Sequence, residues 1–115
     1  MTAYEPGEVI LVPYPFGERA GGRKRPALVV SSLEHNKETG ELIVAQITSR
    51  VSAPPRAGDY HIEEWRKASL PRPALVRARL ATIQASLVLR KLGRLSEPDF
   101  RGALTALQSV FCRLD

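Results

Sequence analysis

An arginine at position 25 and a threonine at position 48 are the residues of this chain whose chemistry depends most on where the fold puts them. Arg25 stands in "GRKRPALVVSS", residues 22–32, where a basic stretch meets an apolar run, and Thr48 closes "ELIVAQIT", residues 41–48. A guanidinium offers a fixed charge and a planar fork of donors that matches a phosphate, and threonine adds a stiff, β-branched hydroxyl. On one phosphodiester the two could support cleavage of RNA by its own 2′-hydroxyl. That reaction needs an acceptor for the 2′-proton, donors for the charge on the phosphorane, and a donor for the leaving 5′-oxygen. No metal ion is demanded. Arginine, with a pKa above about 12, is a poor base, which leaves Glu18, in the segment ahead of Arg25, as the candidate proton acceptor. Each residue alone has a plainer reading: Arg25 as a charge flanking a strand, Thr48 as an ordinary strand residue.

Whether the pair meets depends on the elements between. "PALVVSS" reads as a second strand and "ELIVAQIT" as a third, separated by "LEHNKETG", whose Asn36 and Gly40 supply the turn chemistry of a hairpin. With the turn centred near residues 36 to 38, facing positions sum to about 73 to 75, so Arg25 faces Thr48, Ser49 or Arg50 at the roughly 4.5–5.5 Å of opposed residues. A first strand in "GEVILVPYPF" cannot run far past Val12 because Pro13 and Pro15 lack donors. "GERAGGRK" reads as an exposed loop. Beyond the third strand, Tyr60 and Ile62 share a face of a short strand, "EEWRKA" suggests one helical turn, and "ALVRARLATIQASLVLRKLG" alternates as two more strands. The period then changes: Phe100, Ala103, Leu104, Leu107, Val110, Phe111 and Leu114 form one helical stripe, with Ser96 as N-cap, Pro98 in the first turn and Asp99 completing a weak capping box. The expected fold is mainly β, a small SH3-like partial barrel of antiparallel strands closed by a C-terminal helix.

Composition bounds the rest. The 115 residues, 43% of them hydrophobic, suffice for one domain, 1–115, and not for two. The formal charge of +5 arises from 17 basic against 12 acidic residues, and 13 of the basic residues are arginine, which favours a polyanionic partner. Arg19, Arg23, Lys24 and Arg50 are read as an electrostatic funnel for RNA, with Ser49 beside them; the alternative is that such loop charges are only solvated. His35 and His61 invite an acid–base pair, but His35 falls in the turn, far from Arg25, and His61 reads as solvent-facing. Two separated histidines and the single Cys112 make neither a metal site nor a disulfide. Tyr60 and Trp65 could stack bases, though core packing is the commoner use. The N-terminus has no cationic signal-peptide region and no stretch approaches the roughly 20 apolar residues of a membrane span, so a cytoplasmic location is expected.

Taken in order, "PGEVILVPYPF", "GRKRPALVVSS", "AQITS" and "LATIQASLVLRKLGRLS" before a terminal helix make the chain resemble the MazF/PemK toxins of bacterial toxin–antitoxin systems. The resemblance implies a homodimeric, metal-independent, cofactor-free endoribonuclease that cuts single-stranded RNA to 2′,3′-cyclic phosphate and 5′-hydroxyl ends. It places the family's catalytic arginine on Arg25 and its threonine on Thr48. It also implies a mobile loop over residues 15 to 24 and an antitoxin that blocks the RNA groove. Some relatives of this fold poison DNA gyrase, so a non-catalytic toxin or binding module is the alternative.

Overall fold

The computed structural model describes residues 3–13 and 23–114. Glu18, Arg19, Gly21 and Gly22, and most of the expected mobile loop, lie outside the described residues. Strand β1 is Glu8–Pro13, β2 is Lys24–Val29, β3 is Glu41–Thr48, β4 is Tyr60–His61, β5 is Leu75–Gln84 and β6 is Arg90–Arg94; helix α1 is Leu33–Thr39 and α2 is Glu97–Gln108. The strands form one antiparallel sheet in the order β4-β5-β3-β2-β1-β6, curled into a half-barrel and closed by the C-terminal helix. This is the mainly β architecture expected from the sequence.

The central strands read as nearly continuous apolar runs because both faces of the sheet are covered. One face carries Val9, Leu28, Ala45, Ile47 and Val76, onto which α2 lays Ala103 and Leu107. The other carries Ile10, Val12, Ala27, Val29, Leu42 and Val44, closed by Ile83 with Tyr4, Ala85 and Val88. Alternation along β2 and β3 sends successive side chains to opposite clusters.

Several local expectations change. The 33–40 stretch is a helix, not a hairpin turn: the Ser32 hydroxyl accepts from the His35 N–H at 3.1 Å and Gly40, at φ 70°, stops the helix in the left-handed region. Asn36, mid-helix, is buried and donates to the Tyr4 carbonyl at 2.8 Å, a long-range bond that ties α1 to the start of the chain. Strand β2 starts earlier than expected and so includes Arg25, and it ends at Val29. Residues 63–69 make irregular turns in place of a helical one, with Ser69 at φ 62°. Leu87 sits in a single 3₁₀ turn and not in a strand. Helix α2 ends at Gln108, where the Ser109 hydroxyl bonds back to the Ala106 carbonyl, so Val110, Phe111 and Leu114 of the stripe are exposed.

Ser96 caps α2 as expected, accepting from the Asp99 N–H at 3.2 Å, but the Asp99 carboxylate does not turn back to complete a capping box. It points inward, 1% exposed, and accepts from the Tyr60 hydroxyl at 2.7 Å and from the Glu63 and Glu64 N–H groups at 3.0 and 2.9 Å. The Tyr60 ring reaches it by lying across Gly102, where an added Cβ would land on the ring. Because the hydroxyl is anchored, the ring cannot yield easily. Gly102→Ala is therefore expected to destabilise the protein by about 1–3 kcal/mol despite alanine's better helix propensity, read as a lower Tm in a thermal melt; an unchanged or raised Tm would show that the ring gives way freely.

Candidate active site

Strands β2 and β3 pair Ala27 with Gln46, Leu28 with Ala45 and Val29 with Val44, so facing residue numbers sum to 73. Continuing that register by two residues sets Arg25 across from Thr48, at the roughly 5 Å of opposed Cβ atoms. On its other side Arg25 faces Val12 of β1, and Thr48 faces Leu75 of β5. Alternation puts both on the face that carries Ala27 and Gln46, and both are half-buried. The Thr48 oxygen accepts the Arg50 N–H at 3.2 Å, which fixes the rotor while leaving the hydroxyl's own proton as a donor.

Around the pair, Arg23, Lys24, Ser49 and Arg50 are exposed. His61 lies in the same cross-strand row, opposite Leu75 and therefore two strands from Thr48, roughly 10 Å away; it is exposed, as expected. His35 stands on α1, before the start of β3, roughly 20 Å from Thr48 along that strand. In the adjacent row, Arg77 faces Gln46 and grips Asp59 with Nε and Nη2, both at 3.0 Å. The Asp59 carboxylate is 3% exposed. The Arg77 hydrogen bond, working against burial and helped by the Arg56 N–H, holds the Asp59 carboxyl below the usual carboxylate range. The Gln46 Oε1 beside them is buried without a hydrogen-bond partner among the described residues.

A cleft of about 540 Å³ opens at this end of the sheet, with Arg25 and Ser49 in its wall. Its lining includes the apolar Leu11, Ile47 and Leu70 and two further arginines, Arg72 and Arg90. Neither arginine stands out in the sequence. Arg72 is the middle of a Pro-Arg-Pro segment that reads as punctuation, and Arg90 reads as an outward strand residue; only the register reveals it, Arg90 facing Leu11, which in turn faces Pro26. Thr48 does not line the cleft, so Arg25 is the residue that links cleft and threonine.

The aromatic candidates serve packing. Tyr60 is held by Asp99, and Trp65 packs against the α2-facing cluster with the Arg66 guanidinium 4.4 Å from its ring centroid. Among the described residues, no three His, Cys, Asp or Glu side chains gather closely enough to hold a metal ion, and no helix is long and apolar enough to cross a membrane.

Residues 5–111 match the model of a family described as the PemK-like, MazF-like toxin of type II toxin–antitoxin systems. No curated protein matches the chain. Similar solved structures include MazF from Deinococcus radiodurans, 21% identical over 96% of this chain and 97% of that one, with a TM-score of 0.73. MazE–MazF from the same organism is 19% identical, covers 96% of each chain and has a TM-score of 0.72. An endoribonuclease in complex with its cognate antitoxin, from a mycobacterial species, is 20% identical over 95% of this chain and 93% of that one, at a TM-score of 0.71. At these identities the likeness is one of fold.

Proposed function

This chain belongs to the PemK-like, MazF-like toxins of type II toxin–antitoxin systems, and we propose that it is an endoribonuclease acting on single-stranded RNA, restrained by a cognate antitoxin. The observation that supports the reading is the β2–β3 register of Ala27–Gln46 to Val29–Val44, which, continued by two residues, would set Arg25 across from Thr48 on one face of the sheet. In the proposed reaction the 2′-oxygen attacks phosphorus, the bond from phosphorus to the 5′-oxygen breaks, and the products are a 2′,3′-cyclic phosphate and a 5′-hydroxyl. The Arg25 fork neutralises the equatorial oxygens of the phosphorane, and the Thr48 proton is donated to it. The 2′-proton passes to a base, for which Glu18 is the sequence's candidate, and the 5′-oxygen leaves with a proton. Charge neutralisation by a guanidinium and a hydroxyl needs no cation, so the reaction is proposed to be metal-independent. Arg23, Lys24, Ser49 and Arg50 flank the pair as RNA-binding groups, and Arg19 is assigned with them from the sequence.

The antitoxin, a homodimeric assembly and a cytoplasmic location are parts of the same proposal. The first is supported by the similar structures that contain MazE or a cognate antitoxin. The test is incubation of purified protein with mixed-sequence single-stranded RNA in EDTA. Fragments ending in 2′,3′-cyclic phosphate and 5′-hydroxyl are expected. Cleavage that appears only with added Mg²⁺ overturns the mechanism, and inhibition of DNA supercoiling without RNA loss overturns the nuclease reading.

A further inference from the structure

Of the ion pairs among the described residues, one has both partners buried: Arg77 and Asp59, with side chains 11% and 3% exposed. In the rest at least one partner lies open to solvent. Two charges taken out of water gain little net stability over a well-packed apolar pair of similar volume, so stability alone does not account for this one. Its place in the fold suggests another use. Arg77 leaves β5 where the β3–β5 register shifts, between Ala45 and Gln46, and irregularities of this kind re-aim side chains beside sites. Asp59 closes the segment that leaves β3. That segment, residues 49–58, is tied at both ends. At its start the Arg50 N–H donates to Thr48 Oγ1 at 3.2 Å. At its end the Arg56 N–H donates to Asp59 Oδ2 at 2.9 Å, and the Asp59 N–H donates to the Arg56 carbonyl at 3.0 Å. Gly58 lets this end close on β5, since a Cβ there would stand 2.7 Å from that of Ala78. Arg77 then locks it, with Nε on Oδ1 and Nη2 on Oδ2, both at 3.0 Å.

We propose that the Asp59–Arg77 pair is a positioning device for the Thr48 hydroxyl, acting through the segment between them. It rests on the ribonuclease reading given above for what Thr48 does, and it adds two residues that act without touching RNA. A threonine side chain has three staggered wells about χ1, and the well decides where Oγ1 stands. The Arg50 N–H selects the well, and that N–H belongs to a segment whose far end is clamped to β5. The same strand faces Thr48 through Leu75, so the clamp refers the hydroxyl to the strand that frames it. A bidentate fork suits this task better than an apolar contact, because it fixes direction as well as distance. Gln46 faces Arg77, and its buried Oε1 has no partner among the described residues. It is the acceptor to which the guanidinium is expected to turn when Asp59 alone is removed, so releasing the segment takes replacement of both charges.

The experiment replaces the pair with apolar residues, Asp59→Leu with Arg77→Met, in wild type and in a Thr48→Val background. Cleavage of single-stranded RNA, thermal melting and amide hydrogen exchange by NMR are followed on the same preparations. In wild type the replacement is expected to leave Tm equal or higher and KM within about twofold. It should lower kcat about tenfold, part of the roughly hundredfold that a 1 Å misplacement can cost. In the Thr48→Val background it should cost less than about twofold, because the hydroxyl it positions is already gone. The Arg50 amide should exchange about tenfold faster once the segment is released. Arg77→Lys, which keeps a charge without the planar fork, is expected to fall between wild type and the apolar pair in kcat. A full tenfold loss repeated on Thr48→Val overturns the inference, as does wild-type kcat with the pair replaced. Activity that merely follows a lowered Tm in both the apolar pair and Arg77→Lys assigns the two residues to stability and overturns it as well. A wild-type protein that cuts no RNA refutes the ribonuclease reading instead; the Arg50 amide then still decides, and unaltered exchange shows that the clamp does not reach Thr48.

Discussion

Arg25→Ala is expected to lower kcat for RNA cleavage by about 10²–10³-fold, the loss found when one preorganised donor is taken from a developing oxyanion. The residue belongs to β2 and pairs with Val12 of β1, so its backbone is held by the sheet and not by the groups it would touch in RNA. Truncation should therefore leave circular dichroism and Tm close to wild type. Arg25→Lys keeps a charge but not the planar fork, and is expected to recover only part of the loss. Thr48→Val removes the hydroxyl at nearly constant volume and should cost less than Arg25→Ala, while Thr48→Ser, which keeps the donor, should stay near wild type. In the proposed reaction both groups act on one phosphate, so the Arg25→Ala, Thr48→Val double variant should lose less than the product of the two single losses. A rise in KM with unchanged kcat on Arg25→Ala would falsify the catalytic role and leave Arg25 a binding residue.

The β2–β3 register was legible because antiparallel register depends on the centre of the connection, not on what fills it. Helix α1 occupies residues that a hairpin loop was expected to occupy, yet its midpoint is the same, and the observed ladder falls at the lower end of the expected sums. The helix itself was not legible. Its stability draws on the Asn36 bond to Tyr4, 32 residues away, and no local pattern reports such a contact. The end of α2 was overread for a related reason: Val110, Phe111 and Leu114 keep the apolar spacing, but spacing records hydrophobicity and not where backbone hydrogen bonds stop. Arg72 and Arg90 were missed because the cleft draws its wall from segments far apart in the chain. Glu18 falls outside the described residues, so the proton acceptor is a matter for substitution: Glu18→Gln should slow cleavage without raising KM if the carboxylate takes the 2′-proton.

Asp99→Ala is expected to destabilise the fold by about 3–5 kcal/mol, because it strips the acceptor from three donors at once: the Tyr60 hydroxyl and the Glu63 and Glu64 N–H groups. The position also places a negative charge in the first turn of α2, where the helix dipole favours it. Burial acts to raise the Asp99 carboxyl, but the hydrogen bonds from the Tyr60 hydroxyl and the Glu64 and Glu63 N–H groups outweigh it and hold the group below the usual carboxylate range. A depressed folded-state pKa contributes stability that is present above the unfolded value of about 3.9 and is lost as pH falls through the folded one. Asp59 acts in the same direction through Arg77. Tyr60 works oppositely: burial, then the Asp99 carboxylate, pushes its hydroxyl above the ordinary range, so its contribution holds below about pH 10 and is lost as pH rises beyond that. Urea unfolding between pH 2 and pH 8 should show the acid limb flattened in Asp99→Ala but retained in Tyr60→Phe, where the carboxylate keeps its backbone donors. An acid limb identical to wild type would remove Asp99 as its source. The consequence reaches the site, because β4 pairs with β5 through Tyr60–Val76 and His61–Leu75, and Leu75 faces Thr48. Loss of the Asp99 anchor loosens the strand next to Thr48, and cleavage by the variant is expected to fall in step with its folded fraction.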